Sequence, residues 1–172
     1  RRLEEAYKIF QSLMRLYPTM EDKDLKGQSA MMRAAILVFD HHPSFSMISF
    51  ITQWGITRLA DEDWTTGQSN GHPVPSTGMR IVGKVFKEVE ATPTVDVALK
   101  AAPILAEALK HSPYNMNNQR YKAIVYRIMG KKDKAIEIYL RLISKHRQSY
   151  LFHELSNLLD DEQQKIALDR KS

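Results

Sequence analysis

PYNMNNQRYKAIVYRIMGKKDKAIEIYLRLISKHRQS, residues 113–149, reads as two helices joined at a glycine. Ala123 and Tyr126 lie three apart on a first helix, Gly130 makes the turn, and Ala135, Tyr139 and Leu142 follow at helical spacing on a second. The alanines let two backbones approach closely, the tyrosines and Leu142 fill the gaps, and Gly130 can leave the helix at positive φ without steric cost. The stretch therefore predicts a pair of helices, about 116–129 and 132–146, folded back together.

The same stretch holds most of the charge imbalance. Formal charge is +5 over the chain, yet residues 120–147 alone carry +7, from nine basic residues against Asp133 and Glu137, which leaves −2 for the rest. Such a local field speeds the approach of acidic partners, nucleic acid or acidic protein, and is screened by salt. A solvated helical surface is the plain alternative.

Moving outward, 172 residues suffice for one domain with its own core, without help from a disulfide or metal. With no cysteine, thiolate zinc sites, iron–sulfur clusters and cysteine nucleophiles are excluded, which fits a reducing compartment, and the cytoplasm is the simplest expectation. The longest apolar run, 34–39, is far short of a membrane span, and no signal-peptide pattern opens the chain, so a soluble protein is expected. A start at Arg1 with a helix under way, and an end inside another helical pattern, suggest a segment of something longer.

The remaining segments are also helical in pattern. In residues 2–17, Leu3, Ala6, Phe10, Leu13 and Tyr17 form one stripe, and Pro18 ends it. A second helix, capped by Asp24 and running to Asp40, is apolar on more than one side and should be central; His41, His42 and Pro43 break it. A third, capped by Ser44, runs to about Ala60, with Gly55 marking a close crossing. Asp61 to Pro75 is a long irregular loop containing Asp61, Glu62, Asp63 and Trp64. Ser76 caps a fourth helix with a stripe of Met79, Val82, Phe86 and Val89. A fifth, from Thr92 to His111, should kink or break near Pro103. After the organising pair come Tyr150 to Leu159 and a last helix from Asp161, with Gln164 as a capping-box partner. No alternating strand pattern is present, so the expectation is an all-α chain of about nine helices.

Three places repeat one spacing of small, large, medium and proline residues: Ala6, Phe10, Leu13, Pro18; then Ala101, Leu105, Ala108, Pro113; then Ala135, Tyr139, Leu142, which lies 34 residues after the second and has Arg147 in place of proline. Thirty-four is the tetratricopeptide period, and the chain resembles that family. The resemblance implies a solenoid of antiparallel helix pairs over 1–172, with a repeat-like helix at 1–18, divergent helices at 19–100 containing loop 61–75, the best match at 101–149 and a partial further pair at 150–172. More narrowly, residues 121–159, with Lys145 in the turn and then Tyr150, Glu154 and Leu155, are similar to the helical-repeat domain of bacterial TOTE-type conflict-system proteins. That likeness implies a defence-associated interaction module and transfers no functional residue.

In tetratricopeptide arrays the first helix of each pair lines a concave groove that holds peptides. The resemblance thus implies Asn117, Arg120, Ile124 and Arg127 on the groove side, where two guanidiniums and an amide suit carboxylates or phosphates, although the family's carboxylate clamp is not reproduced. The implied partner is an acidic protein or peptide. The alternative is nucleic acid on Lys134, Arg141 and Lys145, which share a helical spacing but have no aromatic residues interleaved. No cofactor, metal or small-molecule substrate is implied. His41 and His42 are adjacent, so their side chains diverge, and no nucleophile or distant carboxylate is spaced to work with Asp61, Glu62 and Asp63, which read as an acidic turn beside an anchoring tryptophan. The eight methionines read as core filler. The expectation is a non-catalytic module.

Overall fold

The computed structural model describes residues 1–16 and 25–170. The expected stop at Pro18, the Asp24 cap, Tyr17 and the side chain of Gln164 lie outside the described residues. Within them are eight helices: α1 (Arg2–Leu16), α2 (Leu25–His41), α3 (Met47–Trp54), α4 (Thr77–Ala91), α5 (Val95–His111), α6 (Met116–Ile128), α7 (Lys132–Lys145) and α8 (Ser149–Asp169). The chain is mostly helical, and none of its described helices is long and apolar enough to cross a membrane.

From α4 onward each helix packs on the next, and α6 divides two hydrophobic cores. Its Ile124 enters the larger one, with Met32, Ile36, Ile51, Trp54, Phe86 and Leu105. Its Ala123 enters the smaller, with Ala135, Tyr139, Leu142, Leu151, Leu155 and Leu158. Ala123 and Ala135 are both fully buried, as the close approach of α6 and α7 requires. Gly130, at φ +75°, ends α6: its own N–H donates to the Arg127 carbonyl at 3.1 Å and the Lys131 N–H to the Tyr126 carbonyl at 2.8 Å, which satisfies carbonyls the helix leaves open.

Several expectations are corrected. The buried face of α1 is Phe10, with Tyr7 and Met14 half-buried, while Leu3 and Leu13 are 59% and 44% exposed. The reason is aromatic packing, since Tyr7 stacks on His42 and Phe10 meets Phe45 and Phe50. Ser46, not Ser44, caps α3 by accepting from the Ser49 N–H. Gly55 ends that helix at φ +92° and a 3₁₀ turn, Ile56–Arg58, follows. α5 runs unbroken through Pro103, which lies on the solvent side, where water can satisfy the carbonyl freed at Leu99. α8 is one helix where two were expected.

The stretch 61–75 is not irregular. It holds a 3₁₀ turn, Asp61–Trp64, and a hairpin of β1 (Gly67–Ser69) and β2 (His72–Val74), antiparallel with Ser69 opposite His72. Asn70 and Gly71 form its two-residue turn at φ +51° and +78°, the left-handed pair that matches strand twist. The hairpin is exposed on both strands, so it adds no core.

Candidate binding surface

Two sets of side chains on the α6–α7 unit are candidates, and the fold treats them differently. On α6, Asn117 is exposed and Arg127 half-buried, whereas Ile124 is fully buried in the larger core. Arg120 is only 17% exposed, and its guanidinium binds two carboxylates. Nε donates to both oxygens of Glu154 on α8, at 2.9 and 3.1 Å, and Nη2 donates to Glu154 and to Glu90 on α4. The Tyr121 and Tyr150 rings lie 5.9 and 5.5 Å from its carbon. Burial alone would lower the Arg120 guanidinium, but the hydrogen bonds and charge of Glu154, with Glu90, outweigh it and hold it above its usual range. The groove expectation for Arg120 and Ile124 is therefore corrected: Ile124 is core, and Arg120 is a buckle across α4, α6 and α8.

Tyr139 lies fully buried near this buckle, its hydroxyl facing the Glu154 carboxylate without reaching hydrogen-bond geometry. Burial first, then the Glu154 charge, push its phenol well above the ordinary range. Burial does the same, less strongly, to Tyr121, which stacks on Phe86 at 4.2 Å.

On α7, by contrast, Lys134, Arg141 and Lys145 are all exposed. Lys134 sits 5.6 Å over the Tyr126 ring, and Arg141 has only a loose 3.8 Å contact with Glu137, both partners well exposed. Arg141 and Lys145 share the wall of a cavity of about 160 Å³ with Tyr114, Gln119, Ile138, Leu142 and His146. Tyr114 was not among the expected site residues. It belongs to the α5–α6 turn, more than 25 positions upstream of Arg141, so spacing along α7 cannot reveal it.

The acidic turn near Trp64 is structural. Buried Asp63 accepts from the Ser29 hydroxyl and, at 3.2 Å, from the Ala60 N–H, with the Arg33 guanidinium 3.8 Å away. Trp64 stacks on His111 with centroids 4.6 Å apart and lies against Gly78. Among the described residues no group of three or more His, Asp or Glu side chains is placed to hold a metal ion. No family model, curated protein or solved structure matches the chain.

Proposed function

We propose that the chain is a non-catalytic, tetratricopeptide-like interaction module that holds an anionic partner on the outer face of α7. The observation that carries this is the contrast between the two basic sets. The buried guanidinium of Arg120 is neutralised by Glu90 and Glu154, while Lys134, Arg141 and Lys145 stand in water with little to offset them. Exposed, unneutralised cations attract a polyanion at little desolvation cost; a buried and paired one does not.

The repeat reading draws support from contacts between positions 34 apart on α6 and α8. Arg120 meets Glu154, and the Tyr150 hydroxyl lies 3.7 Å from the Met116 sulfur. Equivalent positions of successive repeats are neighbours in such a stack. The non-catalytic reading draws support from Asp63, whose carboxylate is occupied by the Ser29 hydroxyl on α2 and by the Ala60 N–H of its own turn.

The test is retention on immobilised heparin, a generic polyanion, at low ionic strength. The triple variant Lys134→Gln, Arg141→Gln, Lys145→Gln should elute at clearly lower salt than the parent chain, while Lys100→Gln with Lys110→Gln on α5 should change elution less. Equal elution of the triple variant and the parent would remove α7 as the working surface.

A further inference from the structure

The cavity beside Arg141 and Lys145 has features that cations alone do not explain. Tyr114 is 89% exposed although it belongs to the cavity wall. The short turn that carries it is held by three amide side chains. Asn115 accepts from the Asn118 N–H at 3.2 Å and caps α6; fully buried Asn118 donates to the carbonyls of Ala108 and Ser112 at 3.3 and 3.1 Å; and Gln119 donates to the Pro113 carbonyl at 2.5 Å. The backbone that carries this ring is thus fixed before anything binds, so only the ring's own rotamers are left to order on contact.

The cavity, about 160 Å³, is half the size of the smallest ordinary ligand pockets, roughly 300 Å³. It cannot enclose a cofactor. A small site with one exposed ring and two cations at its edge instead suits a flat ring laid against Tyr114, with negative charge to either side. The cations continue along the helix. With a rise of 1.5 Å per residue, Lys145 is about 6 Å along the axis from Arg141, and Lys134 about 10 Å the other way. A chain bearing regularly spaced charge and repeated planar rings meets both features. An acidic peptide matches the charge, but it offers no planar ring at every step of its chain to lie on Tyr114.

We propose that this surface binds single-stranded nucleic acid, one unpaired base stacking on Tyr114 while neighbouring phosphates sit on Arg141 and Lys145. The proposal rests on α7 being the working surface and names the class of anion it takes. Base–aromatic stacking tolerates any base sequence, and phosphate neutralisation makes affinity salt-dependent.

The experiment is fluorescence anisotropy of a labelled oligothymidylate titrated with the 172-residue chain at several salt concentrations, beside the matching duplex and labelled polyglutamate. Tyr114→Ala should weaken single-strand binding about 5- to 150-fold with no change in the salt slope. Tyr114→Phe keeps the ring and should bind like the parent. Arg141→Gln with Lys145→Gln should lower the slope of log affinity against log salt by about 1.4. Because Tyr114, Arg141 and Lys145 are all exposed, all three variants should melt with the parent. Oligothymidylate binding that ignores Tyr114→Ala, or duplex binding as tight as single-strand binding, overturns the proposal. Binding of polyglutamate alone overturns it as well but leaves the basic-surface reading intact, and binding of neither probe removes both.

Discussion

Replacing Gly78 with alanine sets two opposing effects against each other, and the geometry decides the sign. Gly78 sits in the first turn of α4, where alanine in place of glycine favours a helix by at most about 1 kcal/mol. A Cβ built there would run into Cε3 of Trp64 and lie 2.6 Å from Cδ2 and Cζ3. Those are atoms of a rigid ring that is 7% exposed and stacked on His111, so the clash cannot be relieved by swinging out the tip of a flexible chain. Moving the ring disturbs the His111 stack and the 3₁₀ turn that Asp63 secures. Overpacking of this kind costs about 1–3 kcal/mol. The overpacking outweighs the propensity gain, for a net loss of about 1–2 kcal/mol, or a melting point lower by roughly 2–8 °C in a chain of this size. Urea unfolding of Gly78→Ala, Trp64→Leu and the double variant measures the terms separately. In the Trp64→Leu background the benzo ring is gone, so Gly78→Ala should become neutral or stabilising by up to about 1 kcal/mol. A destabilisation of equal size in both backgrounds, or a Gly78→Ala variant more stable than the parent, would refute the reasoning.

Two further predictions concern the buckle. Arg120→Ala leaves the well-buried Glu154 carboxylate without its partner; because Glu90 is more exposed, the expected loss lies between surface and buried cases, about 2 kcal/mol by urea unfolding, and Arg120→Lys should recover only part of it because a single ammonium cannot bridge as the fork does. A loss under about 0.5 kcal/mol would mean the pairs contribute nothing net. Tyr139 has a raised phenol, so its contribution to stability is full below the ordinary value near 10 and is lost as pH rises from there through the raised value of the folded chain. Tyr139→Phe should flatten the alkaline limb of the stability profile, and should cost under about 1 kcal/mol at neutral pH, since the hydroxyl has no hydrogen bond to lose; an unchanged alkaline limb would count against this account.

How far each element is legible depends on how local its cause is. The α6–α7 pair is readable because Ala123, Gly130, Ala135 and Tyr139 are constrained within one unit, and the caps at Ser76 and Gly130 each act within a few residues. Spacing alone misplaces the α1 stripe because its register is set by partners far along the chain, His42, Phe45 and Phe50, which select Tyr7, Phe10 and Met14 from a helix with more apolar residues than it buries. The hairpin does carry a local signal, Asn70-Gly71, but its strands are short, exposed and without alternation, so a search for apolar periodicity passes over them. Tyr114 has no such signal, because its exposure and its place beside Arg141 follow from the packing of α7 against the α5–α6 turn.

A repeat period is able to foresee the fate of Arg120. Reading a groove from the first helix of a single pair treats that helix as if it faced open space. A stack with a 34-residue period places the residue 34 further on beside each position of that helix, and 34 after Arg120 stands Glu154. An arginine whose periodic neighbour is a glutamate has a partner within its own chain at high effective concentration, and a passing peptide carboxylate must displace it. Lys134 on α7, by contrast, is exposed and, among the described residues, has no carboxylate from another helix brought to it, whereas Arg120 is paired and nearly buried. Charge that the chain leaves unanswered is where an external anion meets the least competition.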